Sequence, residues 1–155
     1  MTRVKQALNR IKDEIEGKTV LEVACGCAEF SIAASEIAKT VKCIDLDSFR
    51  LNREISKCGN VTFELMDATN MKYEENTFDA VVIYNAIAHL NKIFPSVLKE
   101  CDRVRKAGGA LFVISSFGID KAVIEASLLP YLSNHHVNYT HQEDKIFTYV
   151  RIGGQ

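Results

Sequence analysis

The chain has 155 residues, 47% hydrophobic and 25% charged, enough for one continuous core and too few for a second domain. Nineteen Lys and Arg against 20 Asp and Glu leave a formal charge of -1, so no strong overall field draws it to nucleic acid or to an anionic membrane. No apolar run reaches the roughly 18 residues of a membrane span, Met1 to Arg10 is too polar for a signal peptide, and five cysteines, an odd number, argue for reduced thiols, so a soluble cytoplasmic protein is expected.

Val4, Leu8, Ile11 and Ile15 fall on one helical face, which predicts an N-terminal helix over 1–17, ended by Gly17, that packs on a sheet or caps a site. Lys18 to Ala24 follows as a strand. The stretch Val20 to Phe30, VLEVACGCAEF, reads as a buried strand turning tightly into a helix. Ala24, Gly26 and Ala28 carry almost no side chain, so a ligand can approach the main chain there, and the N–H groups opening the next helix are expected to point outward unpaired. In an open α/β sheet that crevice lies beyond the carboxyl ends of the strands, where ligands bind. Phe30, Ala33, Ala34 and Ile37 mark the buried face of the helix. Val41 to Leu46 predicts a second strand, and Ser48 to Cys58 a helix that buries Leu51 and Ile55.

The second strand carries Asp45, 23 residues after Glu22. An acid about 20 residues beyond a small-residue turn grips a ribose in nucleotide-binding βαβ units, because a carboxylate accepts from both hydroxyls. Asp47 reads as the N-cap of the next helix. Val61 to Met66 alternates as a third strand and runs into Asp67 and Ala68, a carboxylate and a backbone N–H suited to an adenine amino group and a ring nitrogen. Alone, that Asp is ordinary turn chemistry. Phe78 to Tyr84 is the most apolar strand, as expected for one covered on both faces, and it delivers Tyr84, Asn85 and His89 to the same edge. Asn91 to Lys106 predicts an amphipathic helix ended by Ala107, Gly108 and Gly109, and Ala110 to Ser116 a fifth strand. A helix from Asp120 to Leu129, stopped by Pro130, precedes a sixth strand, His136 to Thr140, and an antiparallel seventh, Lys145 to Ile152.

Glu22, Ala24, Gly26 and Ala28 resemble motif I of the class I S-adenosylmethionine-dependent methyltransferases, (D/E)-x-G-x-G-x-G, with alanine at two of the three glycines. An acid there suits a cationic methionine ammonium better than a phosphate. V-K-C-I-D-L-D resembles the family's V-x-G-I-D-x-S, and Asp67-Ala68 resembles its D-A element. M-K-Y-E-E-N-T-F-D-A-V-V is similar to L-P-F-x-D-x-S-F-D-x-V, and Y-N-A-I-A-H-L to S-N-x-L-H-H-L. L-K-E-C-D-R-V-R-K-A-G-G-A-L-F-V-I resembles L-x-E-x-x-R-V-L-K-P-G-G-x-L-x-I, a structural match without chemistry. The resemblance runs from Val20 to about Ile152.

It implies a single α/β domain over 1–155: a Rossmann-like, doubly wound, seven-stranded sheet, mostly parallel with an antiparallel last strand and helices on both faces. It further implies S-adenosylmethionine as methyl donor and S-adenosylhomocysteine as product, held by Glu22, Ala24, Cys25, Gly26, Ala28, Asp45, Leu46, Asp67, Ala68 and Asn85. Tyr84 and His89 are then the candidate catalytic residues facing the methyl group and an unidentified acceptor. A histidine, with its pKa near neutrality, suits a general base for a hydroxyl or thiol.

Other readings stand beside this one. A non-catalytic S-adenosylmethionine-binding or regulatory module is suggested by the altered glycines. A nicotinamide enzyme is weakened by Glu22 and Glu29, because Glu29 would stand against a pyrophosphate. Cys25-x-Cys27 has no second pair, and His135, His136 and His141 read as surface or loop histidines, so no metal is expected. The absence of N-P-P-Y disfavours amide or adenine amino acceptors. With no inserted lid, the pocket is expected to be open, or closed by the N-terminal helix, a second copy or a partner protein.

Overall fold

A computed structural model describes residues 1–154. Its strands are β1 (Thr19–Val23), β2 (Thr40–Asp45), β3 (Val61–Leu65), β4 (Phe78–Tyr84), β5 (Arg105–Ser115), β6 (Tyr139–Glu143) and β7 (Thr148–Gly153). They form one sheet in the order β3-β2-β1-β4-β5-β7-β6. The pairs from β3 to β5 are parallel, while β7 lies antiparallel to both β5 and β6. Six strands therefore share one direction, and only β7 opposes them. Strand order reverses between β1 and β4, which opens a crevice at their carboxyl ends.

Alternation along the strands sorts the core into two layers. Leu21, Val23, Val81, Ile83, Leu111 and Val113 face α4 (Phe94–Val104) and the later helices. Val20, Val82, Phe112 and Ile114 face α1 (Arg3–Arg10), α2 (Lys12–Ile15) and α3 (Glu29–Ala34). A period of two on a doubly covered sheet requires this division. Val4, Leu8, Ile11 and Ile15 all lie in the second layer, so the N-terminal helix packs on the sheet. It is broken at Ile11, whose φ of -116° leaves the helical range, and Gly17 turns the chain with φ +70°.

Four expectations are corrected. Residues 48–58 are not a helix: Asp47 Oδ1 accepts from Phe49 N–H at 3.1 Å, Asn52 Oδ1 from Glu54 N–H at 2.9 Å, and only Arg53–Lys57 forms a short 3-10 turn. Short polar side chains bond their own backbone here and outcompete the helix, so Asp47 closes a turn and caps nothing. Leu51 and Ile55 remain half-buried against Cys25, Ala28 and Cys43. The helix after β5 does not stop at Pro130. It runs from α5 (Gly118–Val123) through a π turn, Ile124–Leu128, into α6 (Leu129–Asn134), and Pro130 sits in the first turn of α6, where its missing N–H is tolerated. The sixth strand begins at Tyr139, three residues later than expected, because His136 is left-handed (φ 55°) just after α6. Helix α4 is shorter than the predicted 91–106, and β5 begins at Arg105.

Candidate active site

The carboxyl ends of β1, β2, β3 and β4 enclose a cleft of about 320 Å³. Its floor is the turn after β1. Ala24, Gly26 and Ala28, the positions where motif I has glycine, all adopt the left-handed conformation, with φ of 56°, 55° and 64°. The two alanines thus keep the turn a glycine would make, at a cost of roughly 1–2 kcal/mol each. The donors of this segment are not all free, as the sequence suggests. Gly26 N–H donates to Asp45 Oδ2 at 2.7 Å, and Ser31 donates to Glu22 Oε1 from its N–H at 3.1 Å and its hydroxyl at 2.7 Å.

Glu22 shares the sheet face of Val20 and is only 1% exposed. Burial pushes its carboxyl up to about 8, outweighing the two Ser31 donors, which favour the charged form. Asp45 also accepts from Leu46 N–H at 2.7 Å, so backbone bonds fix both oxygens of a carboxylate that lines the cleft, and each keeps a further lone pair. Leu46 is 71% exposed on the cleft wall. Asp67 Oδ1 accepts from the N–H and hydroxyl of Thr69 at 2.8 and 2.7 Å, bonds that hold the carboxyl below its ordinary range. Ala68 lines the cleft beside it. Cys25 lines it too, with its side chain buried against Ala28 and Cys43.

The opposite wall comes from the segment after β4. Asn85 is left-handed (φ 51°), and its Oδ1 accepts from Ser116 N–H at 2.8 Å and lies 2.9 Å from the Ser115 hydroxyl. Tyr84 packs on Phe30 with ring centroids 5.6 Å apart, and burial, then Glu29 and Glu22, pushes its phenol up to about 12. At neutral pH Tyr84 is therefore a hydrogen-bond donor, not a base. His89 is exposed in the cleft on the 3-10 turn Ile87–Leu90. The cleft thus brings together every residue singled out from the sequence except Ala28, which is fully buried beneath the turn and shapes it from behind.

Several residues there were not singled out. Asp120 is 1% exposed, and its Oδ1 accepts from Ala88 N–H at 2.8 Å while Oδ2 lies 2.5 Å from the Ser115 hydroxyl, so a buried carboxylate fixes the turn that carries His89. Ile93 and Phe117, both exposed, form an apolar rim next to His89 and Leu90. Arg50 reaches the cleft from the irregular segment after β2. Only the charge of Asp120, at the start of a predicted helix, offered a signal.

A crevice at the strand-order reversal, a left-handed small-residue turn and acids ending β1 and β2 define the fold of the class I S-adenosylmethionine-dependent methyltransferases. Residues 20–109, more than half of the chain, match the methyltransferase domain, and the chain belongs to that family. It is 33% identical over 108 residues to a demethylmenaquinone methyltransferase of Oceanobacillus iheyensis, covering 64% of this chain and 45% of that protein. It is 29% identical over 102 residues to phosphoethanolamine N-methyltransferase 1 of Triticum aestivum, covering 63% and 20%. The chain therefore spans less than half the length of these curated relatives. Among solved structures, a SAM-dependent methyltransferase from Aquifex aeolicus superimposes with a TM-score of 0.80 at 20% identity, over 97% of this chain and 88% of that one. The N-methyltransferase NodS from Bradyrhizobium japonicum gives 0.75 at 14% identity over 99% and 95%. At these identities the likeness is one of fold. Among the described residues no helix is long and apolar enough to cross a membrane.

Proposed function

We propose that this chain, as a single domain, binds S-adenosylmethionine and transfers its methyl group to a small apolar acceptor. The observation that carries the reading is Asp45, which lines the cleft with its carboxylate fixed by Gly26 and Leu46 and one accepting site left on each oxygen, as a ribose diol needs. Asp67 and the Ala68 N–H would take adenine against Leu46, and Glu22 with Asn85 would take the amino-acid end. An acid-lined cleft suits a sulfonium cation. The sulfonium supplies an already activated methyl group, so the protein's part is to place an acceptor behind it and exclude water. Tyr84 would orient the acceptor through its hydroxyl, and His89, where the acceptor carries a proton, would remove it.

The acceptor side supports the apolar class. Leu90, Ile93 and Phe117 line it, and among the described residues no Lys or Arg stands there to hold a phosphate. That wall fits an acceptor like the one named in demethylmenaquinone methyltransferase better than phosphoethanolamine. Calorimetric titration with S-adenosylmethionine and S-adenosylhomocysteine, with NAD as control, tests the cofactor. Micromolar binding that Asp45→Ala weakens at least tenfold is expected, and a folded protein that binds neither sulfur ligand overturns the reading. Release of S-adenosylhomocysteine with a quinol acceptor then separates an enzyme from a binding module.

A further inference from the structure

We propose that Arg50 is the counter-ion for the amino-acid carboxylate of the cofactor, a role that rests on the cofactor reading above. Among the residues lining the cleft, Arg50 is the one Lys or Arg, set against Glu22, Glu29, Asp45, Asp47 and Asp67. Its guanidinium sits beside the open face of Gly26, with Nη1, Cζ and Nη2 at 3.4, 3.5 and 3.7 Å from where a Cβ would stand. Among the described residues it donates no hydrogen bond and joins no ion pair, although an arginine among so many carboxylates could readily do both.

The cofactor's amino-acid end carries one ammonium and one carboxylate. Glu29 offers the ammonium a charged partner and repels the carboxylate, while Glu22, whose carboxyl burial pushes up to about 8, offers the ammonium a hydrogen bond. Gly26 N–H is engaged by Asp45 and Ser31 N–H by Glu22, so neither of these backbone donors is available to the cofactor's carboxylate. A carboxylate entering this acid-lined space needs a cation, and Arg50 supplies it with a fork of donors matched to two oxygens. The bare face of Gly26 matters as well. A Cβ at residue 26 would stand in ordinary van der Waals contact with the guanidinium, and the φ of +55° matches those that Ala24 and Ala28 adopt, so glycine here leaves room around Arg50 without being required.

Binding of two ligands separates this role from others. S-Adenosylhomocysteine carries the amino acid; 5′-methylthioadenosine keeps the nucleoside and thioether and lacks it. In the whole chain, Arg50→Gln is expected to weaken S-adenosylhomocysteine about tenfold or more and to leave 5′-methylthioadenosine unchanged, with Arg50→Lys recovering part of the loss. Arg50 is exposed, so the melting temperature without ligand should not move. An equal loss for both ligands assigns Arg50 to the nucleoside and overturns the proposal, as does unchanged or tighter binding of S-adenosylhomocysteine. Failure of the unsubstituted chain to bind S-adenosylhomocysteine overturns the cofactor reading and this one together.

Discussion

At positions 24, 26 and 28 the chain enters the left-handed region three times within five residues, and two of those residues are alanine. A methyl group in that region meets the following carbonyl, so the turn holds strain that the surrounding packing sustains. Ala24→Gly should stabilise the protein by about 1 kcal/mol in urea unfolding, the released strain exceeding the added chain entropy. Glu22 makes stability depend on pH. Its carboxyl titrates near 8 when folded, above the ordinary 4.5, so the folded state holds the proton more tightly. The resulting stability is present below about pH 4.5 and is lost as pH rises through 8. Urea midpoints across this window should fall for the natural chain and stay flatter for Glu22→Gln. Asp45 could be read from its spacing after the first turn, and Asp67 only from its place in the succession of strand ends, because strand ends fix where such acids project. Arg50 could not, since its approach to Gly26 depends on residues 48–58 declining the helix their apolar spacing suggested.

At the scale of elements, α4 does more than cover the sheet. Glu100 Oε1 accepts from Met71 N–H at 2.7 Å, and its carboxylate pairs with Arg103, which donates to the carbonyls of Tyr73 and Met71 at 2.8 and 3.1 Å. The two side chains tie down the connector that follows Asp67 and Ala68. Glu100→Ala should cost about 2 kcal/mol, the scale of hydrogen bonds to charged groups, and speed amide exchange at Met71. In the sequence these residues belong to a match that looked purely structural. Strands β1, β2 and β4 were legible because alternation and apolar runs report burial directly. The Pro130 helix was not, since a π turn just before the proline admits the ring without ending the helix, and no composition signals such a turn.

For the molecule as a whole, the cleft is assembled from β1 to β4 and closed over by nothing in the described chain, so ligand and fold stability are linked. S-Adenosylhomocysteine at a hundred times its dissociation constant should raise the melting temperature by about 5 to 10 °C, whereas NAD should leave it unmoved. The sheet order carries one more consequence. Strand β6 touches the sheet only through β7, and β7 lies between β5 and β6 although it follows both in the chain. As the polypeptide leaves the ribosome, the residues of the cleft are all available while β5 still presents a raw edge and β6 has nowhere to dock. Docking of residues 148–153 then secures the finished sheet in a single late step, and an interrupted chain would keep its ligand half while exposing a strand edge open to aggregation.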